Sequence, residues 1–460
     1  MRDLPVAVIG GGPIGLAAAA HLAGRGLPVR VYEAGPSVGA SVLDWGHVRI
    51  FSPWKYNIDP AARALLARQG WVTPPAEDLP TGAELYDHYL RPLAETPELA
   101  RAIETGARVE SIARQGIDKV ASKDRNARPF RLRIRRSDGS LRHDLARAVI
   151  DASGTWTQPN PLGGDGLVAP GERKHADRIA YGMPDVLGRD RASYAGRHTV
   201  VVGAGYSAAN VLLDLAQLAG HDAGTAITWV VRGTSLVRVY GGGLADELPA
   251  RGALGWRLKE LVDRGAIDLI LGFAATAVEA VDGRIGLAGE TAGGPLQIGP
   301  ADRIVVATGQ RPDLTMTREL RLELDPWLES VKALGPMIDP NLHSCGSVEP
   351  HGYRELAHPE PDFYTIGVKS YGRAPTFLLL TGYEQARSVA AAIAGDLTAA
   401  ESVQLVLPDT GICQVPVERT DASAQGCCGG PPPVRTEGCC VADIRAKAAG
   451  QAGCGCGPRG

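Results

Sequence analysis

The first 344 residues of this 460-residue chain contain no cysteine. Because a redox-active disulfide needs two cysteines, this absence excludes such a pair from most of the sequence. All eight cysteines lie at or after position 345, and six of them fall between positions 427 and 456. Structural disulfides are rare in the cytosol, so a terminal cluster of this kind favours a metal, metalloid or redox device.

The sequence also lacks a strong net charge and a long apolar run. A formal net charge of −3 gives no support for a nucleic-acid partner or an anionic membrane surface. No apolar run reaches the length of a bilayer span, and a strand pattern begins within a few residues of the N-terminus, which leaves no room for a signal peptide. We therefore expect a cytoplasmic protein without nucleic-acid or membrane partners, and the length predicts two or three domains.

What the sequence does have is a strand, a glycine turn, a helix and a second strand between positions 6 and 33. The turn has the G-x-G-x-x-G spacing that is typical of a dinucleotide-binding unit. The first glycine permits the tight turn, the second lets a pyrophosphate approach the backbone, and the third lets the helix pack closely on the strand. The turn residues predicted to bind the cofactor are Gly10, Gly12, Pro13, Ile14 and Gly15.

Glu33 ends the second strand of this unit. A carboxylate at this place accepts hydrogen bonds from the ribose of an adenosine group. The same carboxylate would repel a 2′-phosphate, because both groups carry negative charge. The first site is therefore predicted to bind FAD or NAD in preference to NADP.

A second unit of the same kind begins at position 199, and its turn has the G-x-G-x-x-A variant. Its second strand ends at Arg232 instead of an acid, and a guanidinium can pair with a 2′-phosphate through a bidentate fork. We expect this site to bind NADP, and an ordinary solvated surface arginine is the alternative for Arg232. The turn residues predicted to bind NADP are Gly203, Gly205, Tyr206, Ser207 and Ala208.

Further segments are predicted to reach a cofactor. A strand at positions 148–151 runs into a small-residue turn, and a similar strand end recurs at positions 304–309. Small residues there let the backbone pass close to a cofactor. An aromatic loop at positions 42–60 is long enough to be functional, and covering the domain core is the alternative for its aromatic residues. The residues predicted to contact cofactor in these segments and in the polar turn after position 368 are Trp45, Asp151, Gly154, Thr308, Gly309 and Lys369.

The two units predict an α/β fold with two Rossmann-like, three-layer ββα domains. We predict an FAD-binding domain at residues 1–161 and 309–400, interrupted by an NADP-binding domain at residues 162–308. From about Leu407 the composition shifts towards glycine, proline and small residues, and we assign residues 401–460 to a flexible tail.

The order of the two units, FAD-type and then NADP-type, resembles the two-dinucleotide-binding-domain flavoproteins. In that group the pyridine nucleotide–disulfide reductases need a cysteine pair beside the flavin. The flavin-containing monooxygenases need none, because their reduced flavin activates oxygen directly at C4a. The sequence GAGYSA at positions 203–208 looks like the NADPH-site motif of the monooxygenases. Gly171 and His175 match the glycine and histidine of their linker fingerprint, whereas Ala169 and Ile179 stand in place of its outer aromatic residues.

The resemblance to the monooxygenases extends to positions 51–57, where that family places an asparagine near the flavin C4a position. Asn57 is therefore the candidate catalytic residue, and a plain loop asparagine is the alternative. The resemblance implies that its side-chain amide donates a hydrogen bond to oxygen held at the flavin.

The whole pattern, including WGHVRIFSPW, KSYGRAPTFLL and the cysteine-rich end, looks like bacterial flavoproteins associated with arsenic and metal resistance. Soft thiolates suit trivalent arsenic, mercury or Cu(I), and the tail has no C-x-x-C pair of the kind found in zinc sites. We therefore predict that the tail binds a thiophilic metal or metalloid such as arsenite. Its predicted ligands are Cys427, Cys428, Cys439, Cys440, Cys454 and Cys456.

The sequence leaves three functions open. The first is an NADPH- and FAD-dependent monooxygenase that acts on a small-molecule substrate and oxygen, in arsenic or metal detoxification. The second is an NADPH-dependent flavin reductase whose tail thiols act as an electron relay or deliver a bound ion. The third is a non-catalytic metalloid-binding flavoprotein. In each case we expect a monomer or a homodimer.

Overall fold

The structure is a computed structural model that describes residues 3–342, 348, 350–375, 377–408 and 410. Its strands are β1 (Val6–Ile9), β2 (Val29–Tyr32), β3 (Ile103–Glu104), β4 (Ala107–Arg114), β5 (Phe130–Arg136), β6 (Leu141–Ala146), β7 (Ala148–Asp151), β8 (Ile179–Tyr181), β9 (His198–Val202), β10 (Ala226–Val231), β11 (Asp268–Leu271), β12 (Ala274–Val281), β13 (Arg284–Thr291), β14 (Gly294–Ala301), β15 (Arg303–Val306) and β16 (Phe363–Thr365).

The α-helices are α1 (Pro13–Gly24), α2 (Ala40–Asp44), α3 (Trp54–Asn57), α4 (Pro60–Ala67), α5 (Gly82–Leu85), α6 (Arg91–Ala94), α7 (Pro97–Ala100), α8 (Tyr206–Ala219), α9 (Val237–Tyr240), α10 (Pro249–Asp263), α11 (Gly335–Ile338), α12 (Leu379–Ala394) and α13 (Leu397–Glu401). A π-helical segment, Tyr86–Leu90, lies between α5 and α6. The 3₁₀ helices are Arg125–Ala127, Ala176–Arg178, Arg191–Ser193, Gly243–Ala245, Thr315–Thr317, Lys332–Leu334 and Gly367–Tyr371.

The chain divides into two compact units. Unit 1 is built from the residues up to 158 together with residues 311–340 and 348–407, and unit 2 is built around residues 159–310. The chain therefore leaves unit 1 after β7 and returns to it before β16.

Unit 1 has three layers around a parallel sheet with the strand order β16-β7-β1-β2-β3. Val6 and Val8 of β1 face the helical layer, whereas Ala7 and Ile9 face the antiparallel sheet β4-β5-β6, where Phe130 is fully buried. A strand that is covered on both faces needs a continuous apolar run, which explains why all four residues of β1 are apolar.

Unit 2 repeats this arrangement with the strand order β11-β10-β9-β15-β8 and a second antiparallel sheet, β12-β13-β14. Val201 of β9 packs towards the helices, whereas Val200 and Val202 pack towards the antiparallel sheet and Phe273. The prediction of an α/β fold with two three-layer Rossmann-like domains is confirmed.

Local turn chemistry accounts for the hairpins of the antiparallel layers. The Asp-Gly pairs at positions 138–139 and 282–283 predict tight turns, and the structure places them between β5 and β6 and between β12 and β13. Asp282 and Gly283 have φ values of 49° and 74°, which are typical of a two-residue hairpin turn.

The helical layer of unit 1 differs from the sequence pattern in one region. The pattern of residues 61–105 predicts mostly helix, but α4 ends at Ala67 and the next helix begins at Gly82. Pro74, Pro75 and Pro80 lie in this gap and disfavour a helix there.

No helix in the described ranges is long and apolar enough to cross a membrane.

A buried ion network fastens the antiparallel sheet of unit 1 to the segment that leads into β16. Arg114 Nε lies 2.7 Å from Glu360 Oε1, and Arg125 Nη2 lies 2.6 Å from Glu360 Oε2. The three side chains are at most 3% exposed. Burial raises the pKa of Glu360, but the hydrogen bonds from Arg125 and Arg114 outweigh it and hold the pKa below its ordinary value. The stability from this network is therefore present above the ordinary glutamate pKa of about 4.3 and is lost as the pH falls through the lower folded value.

We predict that Glu360→Gln destabilises unit 1 by about 3 kcal/mol, because it leaves two buried guanidinium groups without a carboxylate. Urea unfolding at neutral pH measures the change. Glu323→Gln is the matched control, since Glu323 pairs with Lys332 on the surface and an exposed pair contributes about 0–1 kcal/mol. Equal unfolding midpoints for the two variants would contradict a structural role for the network.

Candidate functional site

The glycine turn of unit 1 lies where β1 meets β7. The chain runs from β1 outward to β2 and β3, and it returns to the opposite side of β1 as β7, so the strand order reverses at this place. Gly10 has a φ of +99°, and a Cβ atom there would lie 2.6 Å from the carbonyl oxygen of Ala152. Glycine is therefore required at the point where ligands bind in open α/β sheets.

The turn is closed towards the sheet and open above the start of α1. A Cβ atom on Gly15 would lie 1.9 Å from the carbonyl oxygen of Gly10, whereas one on Gly12 would have nothing within 4 Å. Gly12 caps α1 without a side-chain hydrogen bond, Pro13 opens the helix, and Ile14 is buried. Because N–H groups at a helix N-terminus attract anions, this open space fits the pyrophosphate of a dinucleotide.

Glu33 lies beside the same turn at the end of β2. Its Oε2 accepts a hydrogen bond from the Gly11 N–H at 2.6 Å, and its Oε1 accepts one from the Gly35 N–H at 2.6 Å. These bonds orient the carboxylate, and each oxygen keeps a lone pair for a further donor. The arrangement fits the hydroxyl groups of an adenosine ribose.

Asp151 and Lys369 form a buried ion pair at the carboxyl ends of β7 and β16. Asp151 Oδ2 lies 2.7 Å from Lys369 Nζ, and both side chains are 1% exposed. Ser153 donates its hydroxyl to Asp151 Oδ1 and accepts a hydrogen bond from Lys369. The pair thus fixes the loop after β7, in which Gly154 has a φ of +71°. Contact of Asp151, Gly154 and Lys369 with a cofactor stays a prediction, and Ser153 is a loop residue that the sequence did not single out.

Trp45 and Asn57 have well-defined contacts in the region after β2. The indole of Trp45 lies against Gly82, where a Cβ atom would be 2.7 Å from the ring. Asn57 is fully buried; its Oδ1 accepts a hydrogen bond from the Ser52 hydroxyl at 2.9 Å, and its Nδ2 donates to the Ser52 carbonyl at 2.6 Å. These contacts hold both side chains in place, and their roles toward a cofactor and oxygen stay predictions.

Unit 2 repeats the glycine geometry at the point where β9 meets β15. Gly203 has a φ of +138°, and a Cβ atom there would lie 2.2 Å from the carbonyl oxygen of Ala307. A Cβ atom on Gly205, the residue before α8, would have nothing within 4 Å. Tyr206 opens α8, and burial raises the pKa of its hydroxyl. Ala208 is fully buried, as close helix packing requires.

The other predicted contacts of unit 2 lie at the same edge of its sheet. Arg232 follows β10, is exposed, and donates from Nη1 to the carbonyl oxygen of Gly164 at 2.8 Å. Thr308 and Gly309 follow β15, and the Thr308 carbonyl accepts a hydrogen bond from Asn160 at 3.0 Å. Ser207 lies in the first turn of α8 and is half-buried. The second small-residue strand end therefore belongs to the site of unit 2.

The cysteines predicted to bind a metal or metalloid, Cys427 to Cys456, lie outside the described residues. In the part of the chain that the structure describes, no group of three or more His, Cys, Asp or Glu side chains is arranged to hold a metal ion.

We predict that Gly12→Ala weakens cofactor retention by unit 1 about tenfold, or about 1.4 kcal/mol, and leaves the melting temperature of the cofactor-free protein unchanged. The new methyl group meets no protein atom but fills the space expected for the pyrophosphate. Gly10→Ala is the control, because its methyl group would clash with Ala152. Unlike Gly12→Ala, it should lower the melting temperature of the cofactor-free protein. Wild-type retention by Gly12→Ala in a flavin titration would contradict this placement.

Comparisons with known proteins agree with this geometry. The family model described as pyridine nucleotide-disulphide oxidoreductase matches residues 7–332. A search of the curated proteins finds no match. Among solved structures, the bacillithiol disulfide reductase from Bacillus cereus is 20% identical and has a TM-score of 0.61 over 85% of this chain and 99% of that one.

Two further solved structures are similar in the same way. The flavin-containing monooxygenase from Stenotrophomonas maltophilia is 22% identical, with a TM-score of 0.55 over 86% of this chain and 99% of that one. The ornithine hydroxylase from Pseudomonas aeruginosa is 15% identical, with a TM-score of 0.57 over 86% of this chain and 99% of that one. At these identities the likeness shows a shared fold. The match to the family model covers most of the chain, and the protein belongs to the pyridine nucleotide–disulphide oxidoreductase family as an NAD(P)H-dependent flavoprotein oxidoreductase.

Proposed function

We propose that this chain is an NADPH- and FAD-dependent oxidoreductase of the monooxygenase type. The observation that carries the proposal is that the family match at residues 7–332 contains no cysteine. A flavin in unit 1 therefore has no disulfide partner within the matched segment, and oxygen is an acceptor that needs none. Two of the proteins that share the fold are named as a flavin-containing monooxygenase and an ornithine hydroxylase, which supports this choice.

In this proposal FAD occupies unit 1 and NADPH occupies unit 2. FAD supplies the redox chemistry, in which NADPH, a proton, oxygen and one substrate molecule yield NADP⁺, water and the oxygenated substrate. The glycine turn and the N-terminus of α1 bind the FAD pyrophosphate, and Glu33 accepts hydrogen bonds from its ribose. The turn at Gly203 and Gly205 binds the NADPH pyrophosphate, while Arg232 pairs with the 2′-phosphate.

Asn57 is the proposed catalytic residue. Its amide is held by two hydrogen bonds to Ser52, which remove the rotational freedom of the side chain. A fixed amide can donate a hydrogen bond to oxygen at the flavin without an entropic cost at the moment of reaction. We propose that this donor slows the release of hydrogen peroxide.

We also propose that the cysteine-rich tail binds a soft, thiophilic ion, with arsenite as the leading candidate. Six thiols in three close groups can supply the three thiolates that trivalent arsenic needs. The tail would then serve arsenic or metal detoxification by capturing the ion. A reductase is the second candidate, because the bacillithiol disulfide reductase shares the fold and the tail thiols could relay electrons from the flavin.

We predict that Arg232→Ala lowers kcat/KM for NADPH by about 10- to 100-fold, because a charged hydrogen bond to phosphate contributes about 1.5–3 kcal/mol. The value for NADH should change by less than about threefold, since NADH has no 2′-phosphate. Arg178→Ala is the matched control, because Arg178 also donates from Nη1 to a backbone carbonyl, that of Gly283, at 2.9 Å. Equal losses of kcat/KM for NADPH and NADH in Arg232→Ala would contradict the assignment of Arg232 to the 2′-phosphate.

We predict that a full-length variant with all eight cysteines changed to serine keeps NADPH oxidation and oxygen uptake within about twofold of the wild type. The same variant should lose arsenite binding in equilibrium dialysis. Cys345→Ser/Cys413→Ser is the matched control, since it keeps the six clustered tail cysteines and should keep arsenite binding. Loss of NADPH oxidation in the cysteine-free variant would favour the relay and contradict the monooxygenase assignment.

A further inference from the structure

Three segments of unit 1, which include Ile14, Asn57 and Gly367, contact one short stretch of α12. At Gly382 the helix approaches α1 so closely that a Cβ atom would lie 2.5 Å from Ile14 Cδ1. The next residue, Tyr383, donates its hydroxyl to the carbonyl oxygen of Asn57 at 2.8 Å. Gln385 accepts a hydrogen bond at 2.7 Å from the N–H of Gly367, the first residue of the 3₁₀ helix after β16. One rigid element thus sets the distances between these three parts.

The contact between Tyr383 and Asn57 lies within a buried polar network. Tyr383 is 2% exposed and Asn57 is fully buried. Tyr89 interacts with the Tyr383 hydroxyl and accepts a hydrogen bond from the Asp59 N–H at 3.1 Å. Asp59 in turn contacts His21 of α1 at 2.9 Å. Because a buried carbonyl without a donor is costly, the Tyr383 hydroxyl determines where the backbone of Asn57 can rest.

The contact between Gln385 and Gly367 fixes the start of the 3₁₀ helix Gly367–Tyr371. Gly367 has a φ of +72°, and a Cβ atom there would lie 3.5 Å from Ile14. The amide nitrogen of Gln385 contacts the Ser370 hydroxyl at 3.0 Å, so both ends of the side-chain amide are engaged. This bidentate hold keeps a left-handed glycine close to the start of α1, where the pyrophosphate is expected.

We infer that Tyr383 and Gln385 are positioning residues for the FAD site. The Tyr383 hydroxyl fixes the position of the Asn57 backbone relative to the glycine turn. The Gln385 side chain fixes Gly367 close to Ile14 at the start of α1. This inference rests on the proposed function, because it gives Asn57 its position relative to the flavin. Loss of the Tyr383 hydroxyl lets the Asn57 segment shift, and oxygen then leaves as peroxide: NADPH, a proton and O₂ yield NADP⁺ and H₂O₂.

The test compares full-length Tyr383→Phe with the wild type, both loaded with FAD. We expect NADPH-driven peroxide release without substrate to rise about five- to tenfold, because the Asn57 amide is no longer held where it can donate to oxygen at the flavin. Anaerobic flavin reduction by NADPH should stay within about twofold of the wild type. The visible circular dichroism of the bound flavin should also change, which loss of stability alone does not produce. Tyr32→Phe is the matched control, because it removes a buried tyrosine hydroxyl that donates to Asp144 at 2.8 Å and not to the backbone of Asn57.

Wild-type peroxide release and a wild-type flavin dichroism spectrum in Tyr383→Phe would overturn the inference for Tyr383. Gln385→Met is the second variant, and we expect it to weaken FAD retention about tenfold through loss of the Gly367 contact. Wild-type FAD retention in Gln385→Met would overturn the inference for Gln385. If reduced wild-type enzyme does not consume oxygen, the proposed function fails, whereas the dichroism spectrum and the FAD titration still decide the positioning roles.

Discussion

The close approach of two strands at one glycine in each unit is the constraint on which both sites depend. The carbonyl oxygen of Ala152 lies where a side chain of Gly10 would be, and the carbonyl oxygen of Ala307 lies where a side chain of Gly203 would be. These contacts close each turn towards its sheet and leave the following helix N-terminus open. The charged groups differ at these otherwise similar turns, with Glu33 in unit 1 and Arg232 in unit 2, and we propose that this difference directs FAD to unit 1 and NADP to unit 2.

The sequence was sufficient to predict the features that depend on local pattern. The strand at Val6–Ile9, the turn at Gly10 and the Asp-Gly hairpins need only a few neighbouring residues to be recognised, since each has its own backbone chemistry. The irregular path between α4 and α5 departs from the helix predicted for residues 61–105, because Pro74, Pro75 and Pro80 disfavour a helix there.

Contacts between residues that are far apart in the chain could not be predicted from sequence patterns. Tyr383 and Asn57 are 326 positions apart, and Lys369 and Ser153 are 216 positions apart. No periodicity or spacing connects residues at such separations, because their contact is created only by the fold. Asp151 and Lys369 were predicted as separate cofactor contacts, whereas the structure joins them in one buried ion pair. The ionic network around Glu360, which spans 246 positions, was missed for the same reason.

We propose that oxygen accepts the electrons of the reduced flavin, because the family match at residues 7–332 contains no cysteine. The most direct measurement is to reduce the wild-type enzyme anaerobically with one equivalent of NADPH and then to mix it rapidly with oxygen or with a low-molecular-weight disulfide. We predict that flavin absorbance recovers at a rate proportional to the oxygen concentration and does not recover with the disulfide. Recovery with the disulfide alone, and none with oxygen, would contradict the account.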